Sequence, residues 1–98
     1  MPRLIWSPRA GLDLADIDAY LSDRDPAAAA GILRAIQSAA LRLSDYPRLG
    51  WSLDQPFRVI SVRKTPDLIL YRLREGVVEI VRVRHAREDW SGAIEAKL

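Results

Sequence analysis

The chain predicts an α+β domain in which an antiparallel helical hairpin packs on one face of a sheet, and three observations carry that expectation. Two helix-start signals, Ser7-Pro8 and Asp25-Pro26, each precede apolar residues at helical spacing. From Phe57 onward the period changes from helical to extended, and the turns between the extended runs are too short to hold crossover helices. Helices followed by strands, rather than alternating with them, belong to the α+β class.

Arg3-Leu4-Ile5-Trp6 is a short apolar run that reads as an N-terminal strand. Ser7 then offers a hydroxyl cap, and Pro8 suits the first helical position. Ala10, Leu14, Ile17 and Leu21 form one stripe of this helix, which is expected to end near Asp23-Arg24. Its aspartates Asp13, Asp16, Asp18 and Asp23 are read as a solvated face. In the second helix Ala29, Ile32, Leu33, Ile36, Ala40 and Leu43 sustain a stripe to about Asp45. Ala27 to Gly31 make its start slim enough for a close neighbour, and the short connection forces an antiparallel pair. Tyr46-Pro47-Arg48-Leu49-Gly50 stops the helix, and the stretch to Pro56 is expected to be a loop.

Three strands follow: Phe57 to Arg63, Asp67 to Arg74 and Val77 to Arg84. Lys64-Thr65-Pro66 and Glu75-Gly76 turn them into an antiparallel meander. The last strand is apolar on both faces, Val78 and Ile80 on one, Val77, Val81 and Val83 on the other. It therefore belongs inside the sheet rather than at its edge. The tail from Arg87 to Leu98, with Trp90 and Ile94 four apart, could add a short helix. Residues 1–98 are read as a single domain, without repeats or an internal linker.

Composition narrows the function. Half the residues are hydrophobic (49%) and 29% are charged, a globular balance rather than a disordered one. The absence of cysteine excludes disulfides and thiolate metal sites, and a lone histidine argues against a zinc site, so no metal or cofactor is expected. No apolar run approaches the roughly 20 residues of a membrane span. Met1 to Trp6 lack a signal peptide's apolar run and cleavage site, so a soluble cytoplasmic protein is expected.

The net charge is only +2, but it is unevenly distributed. Aspartates crowd the first helix, whereas Arg58, Arg63, Lys64, Arg72, Arg74, Arg82, Arg84 and Arg87 lie in the second half. Such asymmetry suits an acidic partner, either nucleic acid or an acidic protein segment; the plainer alternative is a solvated arginine-rich strand face. No glycine-rich phosphate loop, nucleophile elbow or carboxylate pair stands out. What remains is a basic cluster: Arg82, Arg84, His85 and Arg87 at the end of the last strand, with Trp90 just beyond. Arg58, Arg63 and Lys64 join it as candidates for target binding. The favoured plainer readings are that Trp90 packs the tail on the core and that His85 is a hydrogen-bonded structural residue instead of an acid or base.

The run Tyr71-Arg72, a turn at Gly76, then Glu79-Ile80-Val81-Arg82-Val83-Arg84-His85-Ala86-Arg87-Glu88-Asp89-Trp90 resembles the C-terminal signature of the ParE branch of the RelE/ParE toxin superfamily. Ser7-Pro8 and Tyr46-Pro47-Arg48-Leu49-Gly50 are similar to that family as well, so the likeness covers nearly the whole chain. It implies the same sheet-and-hairpin fold and a cognate ParD-like antitoxin that wraps the toxin as a hetero-oligomer. It also implies DNA gyrase as the target, with no sequence-specific DNA binding by the toxin alone. A basic sheet edge would suit an acidic antitoxin segment that orders on binding.

RelE-like relatives instead cut messenger RNA on the ribosome. That alternative would cast Arg63, Arg84 and His85 as catalytic groups activating the 2′-hydroxyl and stabilising the phosphorane. The C-terminal aromatic here is Trp90, however, and indole cannot shuttle a proton, which favours the ParE reading and no enzymatic activity. A third reading is a decayed toxin that keeps only antitoxin binding. The chain departs from the family at Gly50-Trp51, where members commonly carry Gly-Arg.

Overall fold

The computed structural model describes residues 3–85 and contains two helices on a five-stranded sheet. The elements run β1 (Arg3–Trp6), α1 (Pro8–Ser22), α2 (Pro26–Asp45), β2 (Trp51–Ser52), β3 (Phe57–Ser61), β4 (Asp67–Arg74) and β5 (Val77–His85). The expected tail helix, Arg87 and Trp90 lie outside the described residues.

Both helix starts form as their sequences dictate. The Ser7 hydroxyl accepts from the Ala10 N–H at 3.0 Å and the Asp25 carboxylate from the Ala28 N–H at 3.2 Å. Ser7 does a second job: its hydroxyl donates to the Val81 carbonyl at 2.9 Å, tying the start of α1 to β5.

The sheet order is β1-β5-β4-β3-β2. β1 runs parallel to β5, and the long connection a parallel pair needs is made by the helical hairpin together with β2, β3 and β4. The other pairings are antiparallel, as the short turns require. β5 lies between β1 and β4, in the interior position its apolar sequence calls for. Where a loop was expected, Trp51 and Ser52 form the short edge strand β2 opposite Val59 and Arg58. Two residues are too few for periodicity to reveal. β3 stops two residues sooner than expected. Val62 N–H already closes on the Asp67 carbonyl at 3.0 Å, and Lys64 takes the left-handed conformation (φ 65°) inside that turn.

The pairing of β4 with β5 slips between Leu70 and Tyr71. Tyr71 faces Ile80 while Leu70 faces Arg82, which leaves Val81 as a bulge. This corrects the simple alternation expected for β5. Beyond the bulge Val83, not Arg82, joins Val78 and Ile80 in the core. The helices supply Ala10, Ile36, Ala40 and Leu43 to that core, and the middle of the sheet supplies Ile69 and Tyr71. Alternate sheet residues Val59, Leu70 and Val81 are also buried.

Candidate interaction surface

The charged residues singled out in the sequence divide into those that hold the fold and those that face outward. Arg82 belongs to the first group. Its guanidinium grips the Asp13 carboxylate with two bonds, Nε at 2.8 Å and Nη2 at 3.1 Å. Asp13 also accepts the Val83 N–H at 2.9 Å. The backbone explains why this carboxylate is needed. β1 ends opposite Ile80, so on that side β5 has no described strand partner at Val83, although β4 pairs with it on the other, and α1 covers the open side with an acid instead. Asp13 is thus buried and paired rather than part of a solvated face. Its signal was present in the sequence: position 13 falls on the stripe formed by Ala10, Leu14 and Ile17, three residues after Ala10.

Arg58 also turns inward. From β3 its Nη1 donates to the Gly50 carbonyl at 2.7 Å and to the Arg48 carbonyl at 3.4 Å. Tyr71 fixes the same loop from below. Its hydroxyl accepts the Gly50 N–H and donates to the Pro47 carbonyl, each at 2.9 Å. Tyr71 is wholly buried, and burial pushes its phenol above the usual tyrosine value, more than Gly50 and Arg58 pull it back. Two polar side chains 13 positions apart in sequence therefore hold Pro47 to Gly50, a role that spacing alone does not reveal. The loop presents Tyr46, Leu49 and Trp51 to solvent.

Arg63 and Lys64 are exposed on the turn after β3. Arg84 and His85 lie half-buried at the end of β5, where Asp67 pairs in register with His85. These four residues share one end of the sheet, with β4 between the two pairs. At about 4.8 Å per strand, β3 and β5 are roughly 10 Å apart.

Two open grooves flank this end. One, about 530 Å³, lies between α1 and the end of β5, with Asp13, Asp16, Tyr20, Asp67, Arg84 and His85 in its wall. The other, about 450 Å³, lies between α2 and β3, with Ala35, Ala39, Arg42, Leu49, Trp51 and Arg63 in its wall. Among the described residues no set of three or more histidines, cysteines or carboxylates could hold a metal ion, and no helix is long and apolar enough to cross a membrane.

A helical hairpin laid on a five-stranded sheet is a fold this chain shares with toxins of type II toxin–antitoxin systems. The structure superposes on the chromosomal ParDE toxin–antitoxin system from P. aeruginosa with a TM-score of 0.78 and 20% identity, over 87% of this chain and 96% of that one. It also superposes on the isolated E. coli RelE toxin with a TM-score of 0.68 and 14% identity, over the full length of both. Residues 4–90 match the ParE toxin of the type II toxin–antitoxin system parDE, and the chain belongs to that family. In sequence it is 37% identical to the toxin Y4kP of Sinorhizobium fredii over 90% of this chain and 92% of that one. It is 35% identical to the toxin RelE2 of Caulobacter vibrioides, over 88% and 97%.

Proposed function

We propose that this toxin arrests growth by inhibiting DNA gyrase through binding alone, and that a cognate ParD-like antitoxin neutralises it in the cytoplasm. The observation that carries this reading is the match to the ParE family through Trp90, which takes in the run from His85 to Trp90. That run ends in an indole, which has no proton to exchange near neutral pH. The candidate target contacts are the exposed Arg63 and Lys64 and the half-buried Arg84 and His85, with Arg87 and Trp90 beyond them in sequence. Arg82 and Arg58 contribute indirectly, by holding β5 and the Pro47–Gly50 loop in place.

The test is plasmid supercoiling by purified gyrase with antitoxin-free protein added. Inhibition with accumulation of cleaved plasmid is the expected result, and no effect at high molar excess overturns the reading.

A second reading has one specific observation in its favour: Arg63, Arg84 and His85, the groups an endoribonuclease would use, share one end of the sheet. Under it, Arg84→Ala and His85→Ala abolish ribosome-dependent cleavage of messenger RNA in a protein that still folds. Cleavage retained in both variants excludes it.

A further inference from the structure

Three arginine side chains outside the buried pairs gather at the opposite end of the sheet, around the turn between β4 and β5. Arg3 on β1 and Arg74 on β4 both lie in register with Val77 at the start of β5. Leu4, Leu73 and Val78, the next residues along the same strands, pack into the core. Arg3, Arg74 and Val77 therefore share the face away from the helices, and one intervening strand sets the two arginines about 10 Å apart. Arg48 comes in from the loop after α2. With Arg74 it lines a groove of about 480 Å³ that also takes in Gly76 and Val77. All three arginines are exposed, and among the described residues no carboxylate forms an ion pair with them. One acid, Glu75, shares the groove wall. The frame beneath is firm. Glu75 and Gly76 both hold left-handed backbone (φ 49° and 76°), as a two-residue hairpin turn requires, and the Arg3 N–H closes on the Gly76 carbonyl at 2.9 Å.

The chemistry selects the partner. An acidic peptide that adds to a sheet needs free backbone donors and acceptors, and here Arg3 already gives its N–H to Gly76 while Arg74 pairs with Val77. What this end offers is separated positive charge on a firm frame, which suits a polyanion recognised by charge. Duplex DNA carries one negative charge per about 1.7 Å of its axis, so a span of about 10 Å presents several phosphates to these guanidinium forks. We infer that Arg3, Arg48 and Arg74 form a contact for the phosphate backbone of duplex DNA. Such a contact carries no sequence information. The inference rests on the gyrase reading for the presence of DNA beside the toxin. It also separates two tasks in space: β4 runs eight residues from Asp67 to Arg74, which puts Arg63, Lys64, Arg84 and His85 roughly 24 Å from this end. A toxin of that length meets gyrase with one end of its sheet and the DNA with the other.

The test uses the full-length, antitoxin-free toxin and, as probe, a short fluorescent DNA duplex of arbitrary sequence, with binding read by anisotropy. The affinity is expected to fall as salt rises from about 50 to about 200 mM. The variant combining Arg3→Ala, Arg48→Ala and Arg74→Ala is expected to bind at least about tenfold more weakly at the lower salt, with a log–log salt slope shallower by about 2 to 3, as three lost phosphate contacts require. Its thermal melting stays unchanged, because all three side chains are exposed. Lysine at the same three positions keeps the charge and should keep most of the affinity. No binding of the duplex by the wild-type chain overturns the inference. So does a larger loss from Arg63→Ala with Lys64→Ala than from the triple variant, which would put the DNA at the other end. Tighter binding of an RNA duplex gives the surface to RNA, tighter binding of polyglutamate gives it to an acidic protein, and either result overturns the inference as well. The measurement contains no gyrase, so its failure leaves the supercoiling result standing, and a failure to inhibit gyrase leaves this contact standing.

Discussion

Asp13 and Arg82, 69 residues apart in the chain, meet in a two-pronged ion pair that fastens α1 to the edge of β5. Both side chains are largely shielded, 11% and 13% exposed, so their charges have little water to fall back on. Removing one partner strands the other, at a cost of about 3 kcal/mol. Asp13→Ala loses the Val83 N–H acceptor too, and is expected to be the more damaging of the two alanine variants. Urea midpoints for Asp13→Ala, Arg82→Ala and the double variant check this, with the double variant less destabilised than the sum of the singles. Strict additivity would mean that the pair contributes no coupling.

Gly50 and Gly31 predict opposite outcomes for the same substitution. A Cβ on Gly50 would lie 2.6 Å from the Val59 carbonyl oxygen, 2.7 Å from the Ile60 Cγ2 and 2.8 Å from the Tyr71 hydroxyl. The first of these is sheet backbone and cannot swing aside, so Gly50→Ala should cost about 2–3 kcal/mol. Gly31 sits inside α2 with nothing within 4 Å of its Cβ position. There alanine removes only the flexibility of glycine, and Gly31→Ala should stabilise by roughly 0.5–1 kcal/mol. Paired thermal melts decide the matter, and a stable Gly50→Ala protein would show that the loop can withdraw from β3.

Much of the fold was legible because it rests on local rules. Ser7-Pro8 and Asp25-Pro26 set both helix starts, and the change to extended periodicity set the meander. What stayed hidden depends on pairings between distant residues. The bulge at Val81 comes from the register of β4 against β5, and it moves Val83 into the core at Arg82's expense. The partners of Arg82 and Arg58 were invisible for the same reason: an arginine on a strand looks identical in sequence whether it faces solvent or a buried acid. The site was therefore readable as a basic cluster, but not which of its members do structural work.

Tyr71 gives the fold a dependence on alkaline pH. Its hydroxyl is the shared partner of the Gly50 N–H and the Pro47 carbonyl, and burial raises its pKa. For a group whose folded value lies above its unfolded value, the linked stability is complete below the unfolded value, about 10 for tyrosine. It is then lost as pH climbs through the folded value. Stability should fall above about pH 10, and this part of the fall should vanish in Tyr71→Phe. At neutral pH Tyr71→Phe leaves a buried N–H and carbonyl without their partner and should cost about 1–3 kcal/mol. Denaturant midpoints across the alkaline range test both statements, and parallel pH profiles for the two proteins would contradict the first.

Arg58 separates a structural role from a role in target binding. If its work is to hold the loop through the Gly50 and Arg48 carbonyls, Arg58→Ala releases both and loosens the segment that carries Leu49 and Trp51. The expected cost is about 1–2 kcal/mol, because a charged donor is lost from a half-buried carbonyl. Amide exchange from residue 48 to residue 51 should accelerate, and growth arrest should weaken only as far as the loop is displaced. Arg58→Lys keeps the charge but ends in an ammonium on a shorter stem that does not reproduce the position of Nη1, so it should show the same acceleration in milder form. A direct contact with the target predicts the reverse pattern: exchange unchanged, stability unchanged, and growth arrest lost in Arg58→Ala while Arg58→Lys retains most of it.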